Sequence, residues 1–130
     1  MWDGLKRAKT GDPRLKLERI ENIAGSINPD VHGGNLLNAE FWIELKACEN
    51  PPKRDSTLIL EPLFRPGQIP WAQDWAKYGA LCFTISSVGT DHVLLWTKDV
   101  PGLTKGMLPE FTLASGWRGI IEYLATLERR

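Results

Sequence analysis

One stretch that mixes apolar and charged residues, Glu40–Cys48, constrains this chain more than any other. Its length and composition predict a strand near the centre of a sheet, and strand side chains alternate between the two faces. One face then carries Phe41, Ile43, Leu45 and Ala47. The other carries Glu40, Trp42, Glu44 and Lys46. A carboxylate and an ammonium two residues apart are costly to bury in an apolar strand, so we expect Glu44 and Lys46 to serve a function.

A second carboxylate, Asp30, comes from the extended segment Ile27–His32 that precedes this strand. Gly33-Gly34 reads as a turn, and with a short loop it would fold the chain back and place Asp30 beside Glu44. Two carboxylates and a lysine would then converge at one point. Hard oxygen ligands that hold a divalent cation, next to an amine that orients water, suit the hydrolysis of phosphodiesters.

The pattern Pro29-Asp30 followed by Glu44-Leu45-Lys46 resembles the PD-(D/E)XK nuclease superfamily, which includes restriction endonucleases, archaeal-type Holliday-junction resolvases and VRR-NUC nucleases. The wider run from Arg19-Ile20-Glu21-Asn22 to Trp71 looks like small phage-encoded nucleases of that group. The resemblance covers roughly residues 15–88. It implies a restriction-endonuclease-like core and a metal-dependent DNA endonuclease, and it leaves a preference for branched, Holliday-junction-like DNA open.

The resemblance also implies roles for the site residues. Asp30 and Glu44, together with the main-chain carbonyl of Leu45, are expected to bind Mg²⁺ or Mn²⁺. Lys46 is expected to position the attacking water or to help deprotonate it. Gln68 lies on a predicted helix and would point at the site near the lysine. The alternative for Gln68 is structural, because a glutamine near a helix start can bond the free backbone groups there.

Glu21 is a further candidate catalytic residue and metal ligand. On the predicted strand Leu15–Ile23 it lies on the face that should meet the core, where a carboxylate is expensive unless a cation compensates it. That cation is either Arg19, on the same face, or the metal of the site. Nucleases of this group carry an acidic residue upstream of Pro-Asp, which favours the metal. Glu18 lies on the more polar face, where a glutamate needs no explanation.

The rest of the chain predicts an α/β architecture. Helices are expected at Trp2–Lys9, Pro66–Tyr78 and Trp117–Glu128, further strands at Ala80–Val88 and His92–Lys98, and irregular chain at Val100–Leu113. This order favours a central mixed sheet with helices on both faces. At 130 residues, the expectation is a single nuclease domain spanning residues 1–130.

Charge and aromatic content bear on the partners. The formal net charge is zero, which is a mild point against nucleic-acid binding. The charge is uneven, however, with +3 over residues 1–20 and −3 over residues 28–50. The six Trp residues suit a core, stacking surfaces or an oligomer interface. We expect DNA as the partner and a homodimer, by analogy with resolvases. The competing interpretation is a catalytically inactive nuclease-fold module for binding or assembly.

The two cysteines, Cys48 and Cys82, cannot form a zinc site by themselves, and only His32 and His92 could assist them. Two buried free thiols suit a reducing compartment. The start of the chain has no apolar signal segment, and no stretch is long and apolar enough to span a bilayer. A cytoplasmic protein without a membrane partner is therefore expected, in the host cytoplasm if the chain is phage-encoded.

Overall fold

The computed structural model describes residues 1–20 and 27–129, which contain one six-stranded sheet with the strands in chain order. The strands are β1 Leu15–Arg19, β2 Val31–Asn35, β3 Glu40–Cys48, β4 Leu81–Val88, β5 Asp91–Trp96 and β6 Ala114–Ser115. Neighbours are antiparallel except β3 and β4, which are parallel. A parallel pair needs a crossover connection, and here the chain between β3 and β4 includes a helix. The predicted α/β class with a mixed central sheet is confirmed.

The helices lie on both faces of this sheet. They are α1 Trp2–Lys9, α2 Gln68–Lys77, α3 Leu108–Phe111 and α4 Gly116–Thr126, with 3-10 turns at Glu61–Leu63, Thr97–Asp99 and Lys105–Met107. The predicted bounds of α1 are confirmed, and the two longer helices begin or end within two residues of their predicted bounds. None of these described helices has the length and apolar character needed to cross a membrane.

Two apolar cores flank the sheet. Helices α1 and α4 close the first core, whose fully buried members include Phe41 and Ile43 from β3. The segment Val100–Leu113, predicted to be irregular, contains α3 and supplies buried residues to the second core. The alternation predicted for β3 is confirmed, since Leu45 also packs against the first core while Glu44 points to the opposite face. Helix α2 covers that opposite face and contributes Gln68 to the site.

The β2–β3 connection corrects the predicted turn. Gly33 and Gly34 do not form it, because both lie within β2, and the chain turns over residues 36–38. The carbonyl of the Asn35 side chain accepts hydrogen bonds from the backbone of residues 37 and 39, which fixes this turn. Gly33 serves a different purpose, because a Cβ there would lie 2.4 Å from the ring of Phe41. The glycine thus permits close approach of a core aromatic ring.

The cysteines and histidines do not form a shared cluster in the described part of the chain. Cys48 and Cys82 are both buried free thiols, as predicted, and burial raises the pKa of Cys82 to about 11. His32 contacts Glu40 with its Nε2 at 2.6 Å, and His92 stacks on Trp117 at 4.3 Å between ring centroids.

Candidate active site

The hairpin of β2 and β3 brings the first two candidate ligands together. Asp30 immediately precedes β2, and its Oδ2 accepts a hydrogen bond of 2.9 Å from the backbone N–H of Leu45 in β3. This bond holds the Asp30 carboxylate against the central strand, next to the side chain of Glu44. The convergence predicted from the sequence is therefore present, although a different turn produces it.

Glu44 lies in an unusual environment for a carboxylate. Its residue surface is only 5% exposed. Burial raises its pKa to about 8, with further upward contributions from the charge of Asp30 and a hydrogen bond between the two carboxyl groups. Lys46 opposes this rise, with its Nζ 3.6 Å from Glu44 Oε1, but does not cancel it. Without a further cation, Glu44 is therefore mostly protonated at pH 7.

Gln68, the first residue of α2, contacts both Lys46 and Glu44. Its Oε1 accepts hydrogen bonds from Lys46 Nζ at 2.8 Å and from the backbone N–H of Arg65 at 2.7 Å. Both of those groups can only donate, so the orientation of the amide is fixed. Its Nε2 then donates to Glu44 Oε1 at 3.2 Å. Gln68 reaches the lysine, as expected, and also binds a backbone group near the helix start. Its role in catalysis stays a prediction.

Phe64 is a contact of the site that sequence reasoning did not identify. The Lys46 ammonium lies over its ring, 4.9 Å from the centroid, which is within the range of a cation–π interaction. Phe64 also packs against the second apolar core. In the sequence Phe64 is an aromatic residue shortly before α2. The sequence does not distinguish a residue that contacts the lysine from an ordinary core residue.

Strand β4 supplies a polar lining on the same face. In the parallel register Thr84 lies beside Glu44, and Ser86 lies beside Lys46. Both side chains are fully buried. Thr84 shares a hydrogen bond of 2.9 Å with the hydroxyl of Thr97, and Ser86 donates to the carbonyl of Ser87. Each of these hydroxyls lines the site and has a hydrogen-bond partner outside the cluster of Glu44 and Lys46.

The remaining candidate, Glu21, lies outside the described residues, and its expected place in the site stays a prediction. The backbone N–H of Ile20 donates to the carbonyl of Asp30 at 2.8 Å, so the described chain just before Glu21 runs beside the site. The side chain of Arg19 is exposed. Glu18 contacts Lys16 at 3.6 Å, and both side chains are largely exposed, as expected for the polar face of β1.

The donor set at this point suits a hard cation. Within residues 1–20 and 27–129 no group of three or more His, Cys, Asp or Glu side chains is placed to hold a metal, so two carboxylates form the described set. The two backbone bonding groups of a strand residue point toward the same neighbour, which directs the Leu45 carbonyl toward the side of Asp30. Two carboxylates and a carbonyl are oxygen donors of the kind that Mg²⁺ and Mn²⁺ prefer. The residues therefore fit the expected metal.

The chain is similar to the structure of Hjc, a Holliday junction resolvase from the archaeal hyperthermophile Archaeoglobus fulgidus. The sequences are 15% identical, the match covers 72% of this chain and 69% of that chain, and the TM-score is 0.44. No known protein family and no curated protein matches the sequence. Because this similarity is low, the chemistry of the site is inferred from the residues of this chain alone.

Proposed function

We propose that this chain is a divalent-metal-dependent endodeoxyribonuclease that hydrolyses phosphodiester bonds in DNA. One observation carries the proposal: Asp30, Glu44, Lys46 and Gln68, which come from separate parts of the sequence, form one connected cluster on the α2 face of the sheet. The Pro-Asp and Glu-x-Lys pattern of the PD-(D/E)XK nucleases falls on three of these four residues.

Asp30, Glu44 and the Leu45 carbonyl are the groups that would hold Mg²⁺ or Mn²⁺. A divalent cation supplies a positive charge that acidifies water and stabilises the charge developing on the phosphate. Glu44 must be ionised to act as a ligand, and its pKa of about 8 means that it releases a proton when it does so. The affinity of the site for the cation should therefore increase as the pH rises toward 8.

Lys46 would act on the attacking water and on the phosphate. Its ammonium is held from two sides, by Gln68 Oε1 and by the face of the Phe64 ring. An ammonium group has three N–H donors, so donors remain for a water molecule and a phosphate oxygen. A donor fixed in advance stabilises developing negative charge without reorganisation during the reaction. In this role Gln68 and Phe64 are positioning residues for Lys46.

The substrate and the assembly follow from the resemblance to PD-(D/E)XK nucleases. We infer DNA as the substrate, with a preference for branched or distorted DNA, and a homodimer that would place two sites on opposed strands. The loop after β3 carries Lys53 and Arg54, whose side chains are exposed. These two residues would contact backbone phosphates near the cleavage point.

Incubation with linear, circular, flap and four-way DNA in Mg²⁺, Mn²⁺ or EDTA tests the proposal. We expect cleavage in at least one of the two metals and none in EDTA. A Lys46→Met protein purified in the same way controls for contaminating nucleases. Activity that survives thorough chelation contradicts metal dependence. Binding of branched DNA with no cleavage in either metal would instead support the inactive binding or assembly module.

A further inference from the structure

A continuous row of aromatic rings lies beside the candidate site. We define the aromatic row as His32, Trp42, Trp71 and Trp75. The ring centroids of consecutive members are 4.5, 5.7 and 6.0 Å apart, and the interplanar angles are 34°, 76° and 45°. Each ring thus contacts the next, and the row runs from β2 across β3 to the outer surface of α2.

The aromatic row and the site share the same two elements. Trp42 precedes Glu44 by two residues on β3, so it lies on the same face of the sheet, about 7 Å along the strand. Trp71 and Trp75 follow Gln68 at helical spacing on α2, and all three residues lie on one stripe of the helix. The aromatic row therefore lies within one or two side chains of Glu44 and Lys46, the groups that would act on a DNA strand.

The outer end of the row is open to solvent. The surface of Trp75 is 49% exposed, and Trp42 and Trp71 are partly exposed. A tryptophan has the largest apolar side chain, and leaving half of one in water gives up stabilisation that burial would supply. Tyr78, the residue that follows the end of α2, is 77% exposed. The surface next to the site therefore presents exposed aromatic side chains, a residue type that stacks on flat rings.

We propose that the aromatic row is a stacking platform for unpaired nucleobases of the DNA strand held at the site. This inference rests on the proposed nuclease function and narrows its substrate to DNA that contains single-stranded segments, such as flaps, forks and opened junctions. Bases inside a duplex are stacked on each other, whereas unpaired bases offer their faces to protein rings. Stacking of a base on an aromatic side chain strengthens binding and depends little on sequence.

Binding measured without metal tests the platform separately from cleavage. The probes are a fluorescent thymidine 20-mer, which stays single-stranded, and a labelled hairpin duplex, both titrated by anisotropy in EDTA. Trp75→Leu keeps an apolar side chain but removes the ring, and Trp75→Phe keeps a ring. We expect Trp75→Leu to weaken binding of the single strand at least about fivefold, and Trp75→Phe to stay within about twofold of wild type. All three proteins should bind the duplex alike.

Two results of the binding titrations would overturn the platform. One is single-strand affinity that is unchanged in Trp75→Leu. The other is an equal loss on both probes, which indicates a general effect on the surface. Sedimentation of the same proteins tests whether the aromatic row binds a second copy of the chain instead. If Trp75→Leu dissociates a dimer while single-strand binding persists, the row is a dimer contact and not a platform.

Cleavage in Mn²⁺ is measured in parallel, which distinguishes a failure of the platform from a failure of the proposed nuclease function. Cleavage that shows no response to Trp75→Leu on any flap or fork removes the platform and leaves the nuclease. Ring-dependent binding of single strands with no cleavage of any DNA removes the nuclease and supports the platform.

Discussion

Two clusters in this molecule contain the same ingredients, two carboxylates and one basic side chain, and behave in opposite ways. In the exposed cluster Arg14 contacts both Asp12 and Glu122 at 2.9 Å, and so connects the segment before β1 to α4. In the buried cluster the basic side chain is Lys46, beside the carboxyl groups of Glu44 and Asp30.

The pKa values show the difference. Arg14 lowers the pKa of Asp12 to about 2 and also lowers that of Glu122, chiefly through side-chain hydrogen bonds. Burial and the neighbouring Asp30 raise the pKa of Glu44 to about 8, although Lys46 is close. A guanidinium reaches both of its carboxylates with a planar set of donors. The Lys46 ammonium instead directs its short contact, 2.8 Å, to the neutral amide of Gln68.

The two clusters differ in how well the charges of their carboxyl groups are compensated. In the exposed cluster Arg14 pairs with both carboxylates, and water screens the negative charge that remains. Such exposed pairs contribute little to stability. The buried cluster holds a carboxyl group that is not ionised at pH 7 unless more positive charge is added. A bound cation would supply the missing positive charge, which distinguishes the buried cluster from the exposed one as a candidate active site.

Removal of the basic side chain from each cluster tests this contrast and should give the largest effect. We expect Lys46→Met, which keeps an apolar stem against Phe64, to lower the DNA cleavage rate by at least about 100-fold, because the water loses its donor. Binding of DNA in the presence of metal should be largely retained. Arg14→Met, the matched change in the exposed cluster, should cleave within about twofold of wild type. Similar rates for wild type and Lys46→Met would show that the Glu-x-Lys match is accidental.

The pH dependence of stability without metal gives the next largest effect. The folded pKa of Glu44, about 8, lies above the value of 4.5 for a free side chain, so its contribution is complete below pH 4.5 and is lost as the pH rises to 8. We expect the free energy of unfolding in EDTA to fall by up to about 1.4 kcal/mol per pH unit from pH 5.5 to 8.

Glu44→Gln is the control for this pH dependence, because an amide does not titrate. Urea unfolding of the variant between pH 5.5 and 8.5 should give a clearly shallower slope than wild type. Addition of Mg²⁺ should stabilise wild type most at the alkaline end, where the carboxylate is available as a ligand. Identical slopes for the two proteins in EDTA would show that Glu44 is already ionised, and the contrast between the clusters would disappear.

A third carboxylate would add to the excess negative charge of the buried cluster, and Glu21 is the candidate. We predict that Glu21→Gln lowers cleavage at least about tenfold, which corresponds to roughly 1.4 kcal/mol of barrier, with the fold retained by circular dichroism. Glu18→Gln, three residues earlier on the exposed face beside Lys16, should be nearly silent. The reverse order of the two effects would assign Glu21 to a structural role, such as a pair with Arg19.

The orientation of β3 was predictable because only one of its two faces is apolar enough to be buried against the first core. Phe41 and Ile43 must be buried, and this fixes Glu44 and Lys46 on the opposite face. The Gly33-Gly34 turn was predicted wrongly because glycine has two uses. A glycine either permits a turn or makes room for a neighbour, and here the neighbour, the Phe41 ring, is across the hairpin and not adjacent in sequence.

The contacts around Lys46 show where sequence reasoning ended. Gln68 could be named because the sequence resemblance implied a glutamine that points at the site near the lysine. Phe64 could not, because its contact with Lys46 depends on how the chain from the 3-10 turn to α2 packs over the sheet. The raised pKa of Glu44 likewise depends on burial and on the distance to Asp30, which are properties of the packed structure.

The smallest expected effect concerns the stability supplied by the exposed cluster. Arg14→Met should lower the melting temperature by no more than a few degrees, because all three charged groups remain in contact with water. The difference from wild type should shrink in high salt, which screens exposed charges. It should also shrink as the pH falls from 4 to 2, because the lowered pKa of Asp12 contributes stability only above that range. Thermal melts at several salt concentrations and pH values measure both trends, and a large loss independent of salt would show that Arg14 packs the sheet against α4 instead of pairing charges.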